Sequence, residues 1–339
     1  MADYKGIQGY SVQKLSSDPT AADVEGQLWY NSGTGKFKIA VAGAGAWAAG
    51  NGRNTAVQGS PGAGSQTASI AAGGNTTPGT LSANTETYDG TSWTETANLP
   101  TPIYNNSITG STTAALMFGG ASPSLTPSPT TRTTSWNGTS WSIVNSLNAA
   151  NVHMAENIGI QTASLSVGGG MLPAPTAGAV NEEWDGTSWT EVGDLNTGRS
   201  ASSGCGTTTA GLVFGGSSNP PLRDFTESWN GTSWTETADL QNARESCGSA
   251  MQGTTTATLV FGGSSPAAPP GAKALTEEWD GTSWAEVAAL ATARAQLGGT
   301  GTTSAGLAFG GIVAGTPTIM TNTEEWTGAP VTAKTVTVS

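Results

Sequence analysis

His153 is the single histidine of the 339-residue chain, and Cys205 and Cys247 are its two cysteines. One imidazole base with no nucleophile-elbow sequence to serve does not make a Ser-His-Asp site. In "ANVHMAEN", His153 is expected in a first strand of a repeat, not at a catalytic centre. The cysteines lack the paired spacing of a zinc site and are too few for a disulfide framework, so both are expected as small buried thiols. Carboxylates recur as Glu182-Glu183, Glu277-Glu278 and Glu324-Glu325. Glycoside hydrolysis needs two of them across one site. These pairs occupy equivalent places in a repeat and read as solvated strand edges. No catalytic residue, metal or cofactor is expected.

The elements that position these residues are written in a repeated phrase. "EEWDGTSWTEV" from Glu182 has variants at Glu86, Thr134, Glu227 and Glu277, and its second tryptophan falls at Trp93, Trp141, Trp189, Trp234 and Trp284, 45 to 50 residues apart. Glycine pairs keep the same beat after short apolar runs, at Gly73-Gly74, Gly119-Gly120, Gly168-Gly169, Gly215-Gly216, Gly262-Gly263 and Gly310-Gly311. Propeller repeats run about 40–50 residues, and a unit of several strand-like runs without helical periodicity fits a four-stranded blade. From Arg199 the strands read "RSASSGCG", "AGLVFGG", "FTESW" and "WTETADL". Asn-Gly and Asp-Gly are strong hairpin turns. The aromatic before the turn (Tyr88, Trp136, Trp184, Trp229 or Trp279) faces the following tryptophan across a four-residue loop, or lies diagonal to it across a two-residue one.

Asn137 and Asn230 replace Asp89, Asp185 and Asp280 at that turn, which argues against calcium there, because a neutral amide is a poor substitute for a ligand carboxylate. The glycine pairs suit a crowded inner region where a side chain would obstruct a neighbouring strand. Arg53, Arg199, Arg244 and Arg294 open four units, with Ile103 and Asn151 in that place elsewhere. A functional basic ring would be complete, so inter-blade bonding is the expected role.

The two ends of the repeat are incomplete in complementary ways. Trp326 in "TEEWTGAP" has no tryptophan five places on, and Trp47 precedes Arg53 much as Trp189 precedes Arg199. The expectation is an all-β, six-bladed propeller over residues 41–339, in which residues 42–50 complete the last blade beside 321–328. Residues 1–40 form a short separate segment with a small hairpin. The tail "VTAKTVTVS" alternates like a strand and could join the same blade or pair elsewhere.

Net charge is −12, with only 11% of residues charged and four of the twelve basic residues, Lys5, Lys14, Lys36 and Lys38, before residue 39. Phosphate-driven nucleic-acid binding is not expected from such a body. No eighteen-residue apolar window and no apolar h-region are present, so neither membrane insertion nor a secretory signal is read. Regularly spaced tryptophans argue against disorder.

The combination of "VFGG", "EEWDG", "SW" and a leading arginine resembles the Kelch family of β-propellers over residues 53–328. The opening "IQGYSVQKLSSDPTAADVEGQLWYNSGTGKFKIA" is similar to N-terminal segments of structural proteins from tailed marine and cyanobacterial phages. The resemblance implies a virion protein assembled in the host cytoplasm, with residues 1–40 docking to other virion proteins, a homo-oligomer in the particle being open, and the propeller displayed outward. Kelch-like copper radical oxidases would require several His and Tyr ligands, which a chain with one histidine does not supply. "DGTSW" resembles the Asp-box turn of sialidases, but its Asp and Gly are adjacent.

Between repeats, the Pro-rich stretch separating the second and third strands varies most. Its candidate contact residues are Pro123, Pro127, Pro129, Arg132, Pro173, Pro175, Pro220, Pro221, Arg223, Pro269, Pro270 and Lys273. Proline stiffening lowers the ordering cost of binding. Two functions are carried forward. One is a non-enzymatic virion structural protein, tail- or fibre-associated or decorating. The other is an adhesin whose loop face recognises host-surface glycans or proteins; the absence of Trp, Tyr and Phe from these loops weakens a lectin-like site.

Overall fold

The computed structural model describes residues 12–19, 27–77, 79–125, 130–152, 158–171, 176–218, 222–265, 271–313, 318–329 and 331–336. All regular structure among them is β, and the chain divides into two compact units, a smaller one from the two ends (up to Ala46 and from Gly328) and a larger one, Trp47–Thr327. The boundary expected at 40/41 thus falls near 46/47, and the C-terminal tail belongs with the smaller unit.

The larger unit repeats one four-stranded sheet, numbered I to VI here. Sheet I is Gly62–Ser65, Ala68–Ala72, Thr85–Tyr88 and Trp93–Thr96; sheet II is Ser107–Gly110, Ala115–Phe118, Thr133–Trp136 and Trp141–Val144. Sheet III is Ile158–Ile160, Ala163–Val167, Asn181–Trp184 and Trp189–Val192; sheet IV is Ser203–Thr207, Ala210–Phe214, Thr226–Trp229 and Trp234–Thr237. Sheet V is Gly248–Ser249, Thr258–Phe261, Thr276–Trp279 and Trp284–Val287; sheet VI is Gly298–Gly301, Ala305–Phe309, Thr323–Thr327 and, from the far end of the chain, Ala46–Gly50. The completing strand is shorter than the expected 42–50, because Ala42 ends a strand of the smaller unit.

Burial explains the repeated phrase. Every second strand buries its last four positions, as for a strand packed on both faces. In sheets I to V third strands bury both ends, and fourth strands bury only the leading tryptophan. The four-residue alternative holds at the turn, since Trp229 pairs directly with Trp234, and Trp136 with Trp141. Their ring centroids lie 5.2 Å apart in both sheets, a contact worth about 0.5–1.5 kcal/mol beyond area burial.

Sheets are stitched through the tryptophan that opens each fourth strand. Its indole donates to a third-strand threonine of the preceding sheet: Trp141 to Thr85 at 3.0 Å, Trp189 to Thr133 at 3.0 Å and Trp284 to Thr226 at 3.0 Å. Trp47 donates to Thr276 at 3.0 Å and Trp93 to Thr323 at 2.9 Å. Sheet IV breaks the series, because Asn181 stands at the threonine position with its amide bonded to Gly168 and Gly193, leaving the Trp234 indole without an acceptor. First strands touch in sequence from sheet I to sheet VI, and that of sheet VI touches that of sheet I.

Each glycine pair follows a second strand with both φ angles positive, 66° and 97° at Gly215-Gly216. A Cβ on Gly215 would stand 2.7 Å from the Arg244 carbonyl, which accepts from the Gly216 amide at 2.9 Å. The obstruction anticipated for a side chain is therefore real, but it comes from the backbone of the connection to the next sheet, not from a neighbouring strand. The same connections join one another. Gly59 donates to Gln296, Gln296 to Ser246 and Ser246 to Ala201, while Asn105 donates to Gly59. All five residues have left-handed φ between 51° and 61°.

The smaller unit is a four-stranded sheet in the order Gln13–Leu15, Leu28–Asn31, Lys36–Ala42 and Val331–Thr335. The expected hairpin is Leu28–Asn31 with Lys36–Ala42, and the tail pairs beside it.

Candidate functional site

Among the described residues the buried arginines lie in the connections between sheets and the buried glutamates on third strands. Arg244 is fully buried and reaches Glu277 on the third strand of the sheet it leads into, with Nη2 3.0 Å from Oε1, while Nη1 donates to the Leu275 carbonyl at 3.0 Å. Arg294 repeats this with Glu324 at 2.9 Å and the Asn322 carbonyl at 2.8 Å, and Arg199 with Glu227 and the Phe225 carbonyl. The second oxygen of each carboxylate accepts a backbone amide from the same connection, Gln241 on Glu277 and Asn196 on Glu227. Burial pulls the Arg53, Arg199 and Arg294 guanidinium groups below their ordinary range, and the facing carboxylates oppose that shift.

Three expectations are corrected here. Glu182, Glu277 and Glu324 are buried, not solvated edges, because the alternation of the third strand turns the first acid of each pair inward and leaves Glu183, Glu278 and Glu325 half-buried. The ion pairs of the four arginines clamp each connection to its own following sheet; among the described residues only Arg53 also reaches the neighbouring sheet, lying 5.7 Å over the Phe309 ring. Arg53 is also not the counterpart of Arg199. Val57 is, since its carbonyl receives the glycine-pair amide of Gly311 as the Arg199 carbonyl receives that of Gly169. Arg53 reaches Glu86 from four residues upstream, at 3.2 Å. Sheet II has neither charge, with Ile103 buried and Thr134 on the strand; sheet III keeps Glu182, held by Asn148 and Ala149 amides, opposite Asn151.

Of the loop-face candidates, Pro127, Pro129, Pro173, Pro175, Pro220, Pro221, Pro269 and Pro270 lie outside the described residues, as does His153. Pro123 is exposed. Arg132 donates to Thr101 at 2.7 Å; Arg223 donates to Ser218 at 2.9 Å and lies 5.2 Å over the Phe225 ring. The Lys273 backbone donates to the Gly263 carbonyl. Several of these loops start as two-stranded ribbons, Gly170–Met171 with Thr176–Ala177 and Ser264–Ser265 with Gly271–Ala272. The structure thus gathers Arg223, Ser218 and Phe225 in the loop that leads into the third strand of sheet IV.

A pocket of about 300 Å³ lies at the opposite ends of the first strands, lined by Gly110, Gly159, Gly206, Ile160, Met251 and Gln252 among others. Part of its wall, Met251 to Thr255, comes from a departure of sheet V from the repeat. Its first strand is only Gly248–Ser249, and the following excursion carries Met251 into a buried cluster with Ala63, Ile70 and Ile108 of sheets I and II. Sequence reading missed it; the visible signal was "SAMQGTTTATLV", two residues longer than its counterpart in sheet IV.

Both cysteines are buried, with the Cys205 thiol pushed up to about 12 by burial. Among the described residues no group of three or more His, Cys, Asp or Glu could hold a metal ion, and no helix is long and apolar enough to cross a membrane. The repeated Asp turns are accounted for locally, Asp280 accepting from the Thr282 and Ser283 amides at 2.8 Å each. No family model and no curated protein matches the chain.

Proposed function

We propose that the larger unit is a six-bladed β-propeller, closed by the Ala46–Gly50 strand, and that the chain is a non-enzymatic structural component of a phage virion. The observation that carries this reading is the use of the repeated polar groups. The buried Glu/Arg pairs, the stitching indoles and the Asp turns each meet a partner within the scaffold, and what varies is left to the loops. A scaffold whose recurring groups are committed to its own assembly suits rigid display better than turnover. The cyclic contact of the first strands supports the ring, and an acidic, weakly charged body suits high copy number.

The test is cryo-electron microscopy of purified particles with mass spectrometry for the chain. The expected result is six-bladed discs on the shell, tail or fibres; absence of the chain from particles removes the reading. Host attachment through the loop face is a second reading, favoured by the fixed Arg223 beside Phe225. Exchanging residues 264–273 with 217–224 alters adsorption under that reading and leaves it unchanged under the first.

A further inference from the structure

The smaller unit's sheet treats its two faces differently. On one face Trp29 and Asn31 are buried, and Asp18 accepts from both, at 3.2 and 2.6 Å, while lying 3.5 Å from Lys38. Alternation sends the intervening side chains to the other face. There Tyr30 pairs with Phe37 and Leu28 with Ile39; Lys14 stands beside Tyr30, and Lys334 beside Ile39. Val336 follows on the Phe37 side, its amide donating to the Phe37 carbonyl at 3.0 Å, and Val12 precedes the first strand. Phe37 is 44%, Val12 41% and Val336 40% exposed, three of the five exposed large hydrophobics of the described residues in one small sheet.

We infer that this face pairs with the same face of a second copy of the chain. Across the strands it reads Lys14, Tyr30, Phe37, Val336 in one row and Val12, Leu28, Ile39, Lys334 in the next. A two-fold axis lying along the strands reverses the order within each row. That rotation sets Tyr30 over the second copy's Phe37, Leu28 over its Ile39, and each lysine stem over a valine, with both ammonium groups reaching water at the edges. The pattern is therefore its own complement.

Charge points the same way. The smaller unit carries five lysines against four acids, a net of +1, so the larger unit carries −13 where the whole chain carries −12. Copies repel through the larger unit and not through this one. Four strands about 4.8 Å apart, each of about five residues, present roughly 300 Å² per copy. That is well below the roughly 800 Å² per partner of a standard interface, so the association is weak and concentration-dependent.

Sedimentation velocity of the full chain, from low to high hundreds of micromolar, tests this. The expected result is a monomer–dimer equilibrium weakened at least tenfold by Phe37→Ser, and likewise by Val336→Lys just past the sheet's last strand, with Ile143→Ser behaving as wild type. Circular dichroism melts identify any variant that fails to fold, and the two variants lie in different segments of the sheet. A monomer at every concentration overturns the inference. So does association that both folded variants retain, or a face whose variants lose binding to purified particles while the wild-type chain stays monomeric, which would assign it to a different partner.

Discussion

Sheets II and V are two solutions of the same unit, one uncharged and one charged. Sheet V holds Arg244 against Glu277, turns on Asp280 and exposes Glu286 on its fourth strand. Sheet II puts Ile103 and Thr134 in the buried places, turns on Asn137 and exposes Ile143. Arginine and glutamate are lost together in sheet II, which avoids leaving either buried without its partner, whereas sheet III keeps Glu182 without an arginine by giving it the Asn148 and Ala149 amides and the Asn148 side chain. The ion clamp is one way to fill that space, and an apolar residue with a hydroxyl is another.

The largest expected effect breaks this comparison by removing one partner. Arg244→Ile leaves Glu277 buried without its guanidinium, and unfolding free energy falls by about 3–5 kcal/mol in denaturant melts. Arg244→Ile with Glu277→Thr imports the sheet II solution. It is expected to lie within about 1–2 kcal/mol of wild type; a double variant as unstable as the single would mean that sheet II depends on something other than this pair.

The same unit-by-unit comparison extends to the indole stitch. Asn181→Thr supplies the acceptor that Trp234 lacks, for an expected gain of about 1 kcal/mol in the same melts. A loss would show that the Asn181 bonds to Gly168 and Gly193 outweigh the stitch. The smallest effect is at the turn. Hydrogen bonds from Thr282 and Ser283, the Thr282 hydroxyl foremost, hold the Asp280 carboxyl down at about 2. A depressed carboxylate stabilises the fold above its ordinary value, and that contribution fades as pH falls towards the depressed one. Asp280→Asn, which copies Asn137, should therefore flatten the melting temperature between about pH 4 and pH 2, and a profile as steep as wild type would refute the assignment.

Much of this was legible because the chain says it repeatedly. The strand order, the paired rings and the glycine pairs are local patterns, and recurrence separates them from chance. The buried acid was not legible, because "EE" does not say which residue points inward; register decides, and Glu182 differs from Glu183 only in that. Arg53 misled for a related reason, being the right residue four positions from its counterparts, with Val57 in the place that backbone bonds define. The Met251 excursion needed three dimensions, since its neighbours Ala63 and Ile108 are more than a hundred residues away.

Sheet VI is built from the two ends of the larger unit, and this bears on its synthesis. Ala46–Gly50 leaves the ribosome long before its neighbour Thr323–Thr327. Until Thr323–Thr327 has been made the early strand has no mate. Contacts so distant along the chain are slow to form, and an unmatched strand edge invites pairing with another chain. Nascent copies crowded on one message are thus most at risk of joining one another while that strand waits for its mate.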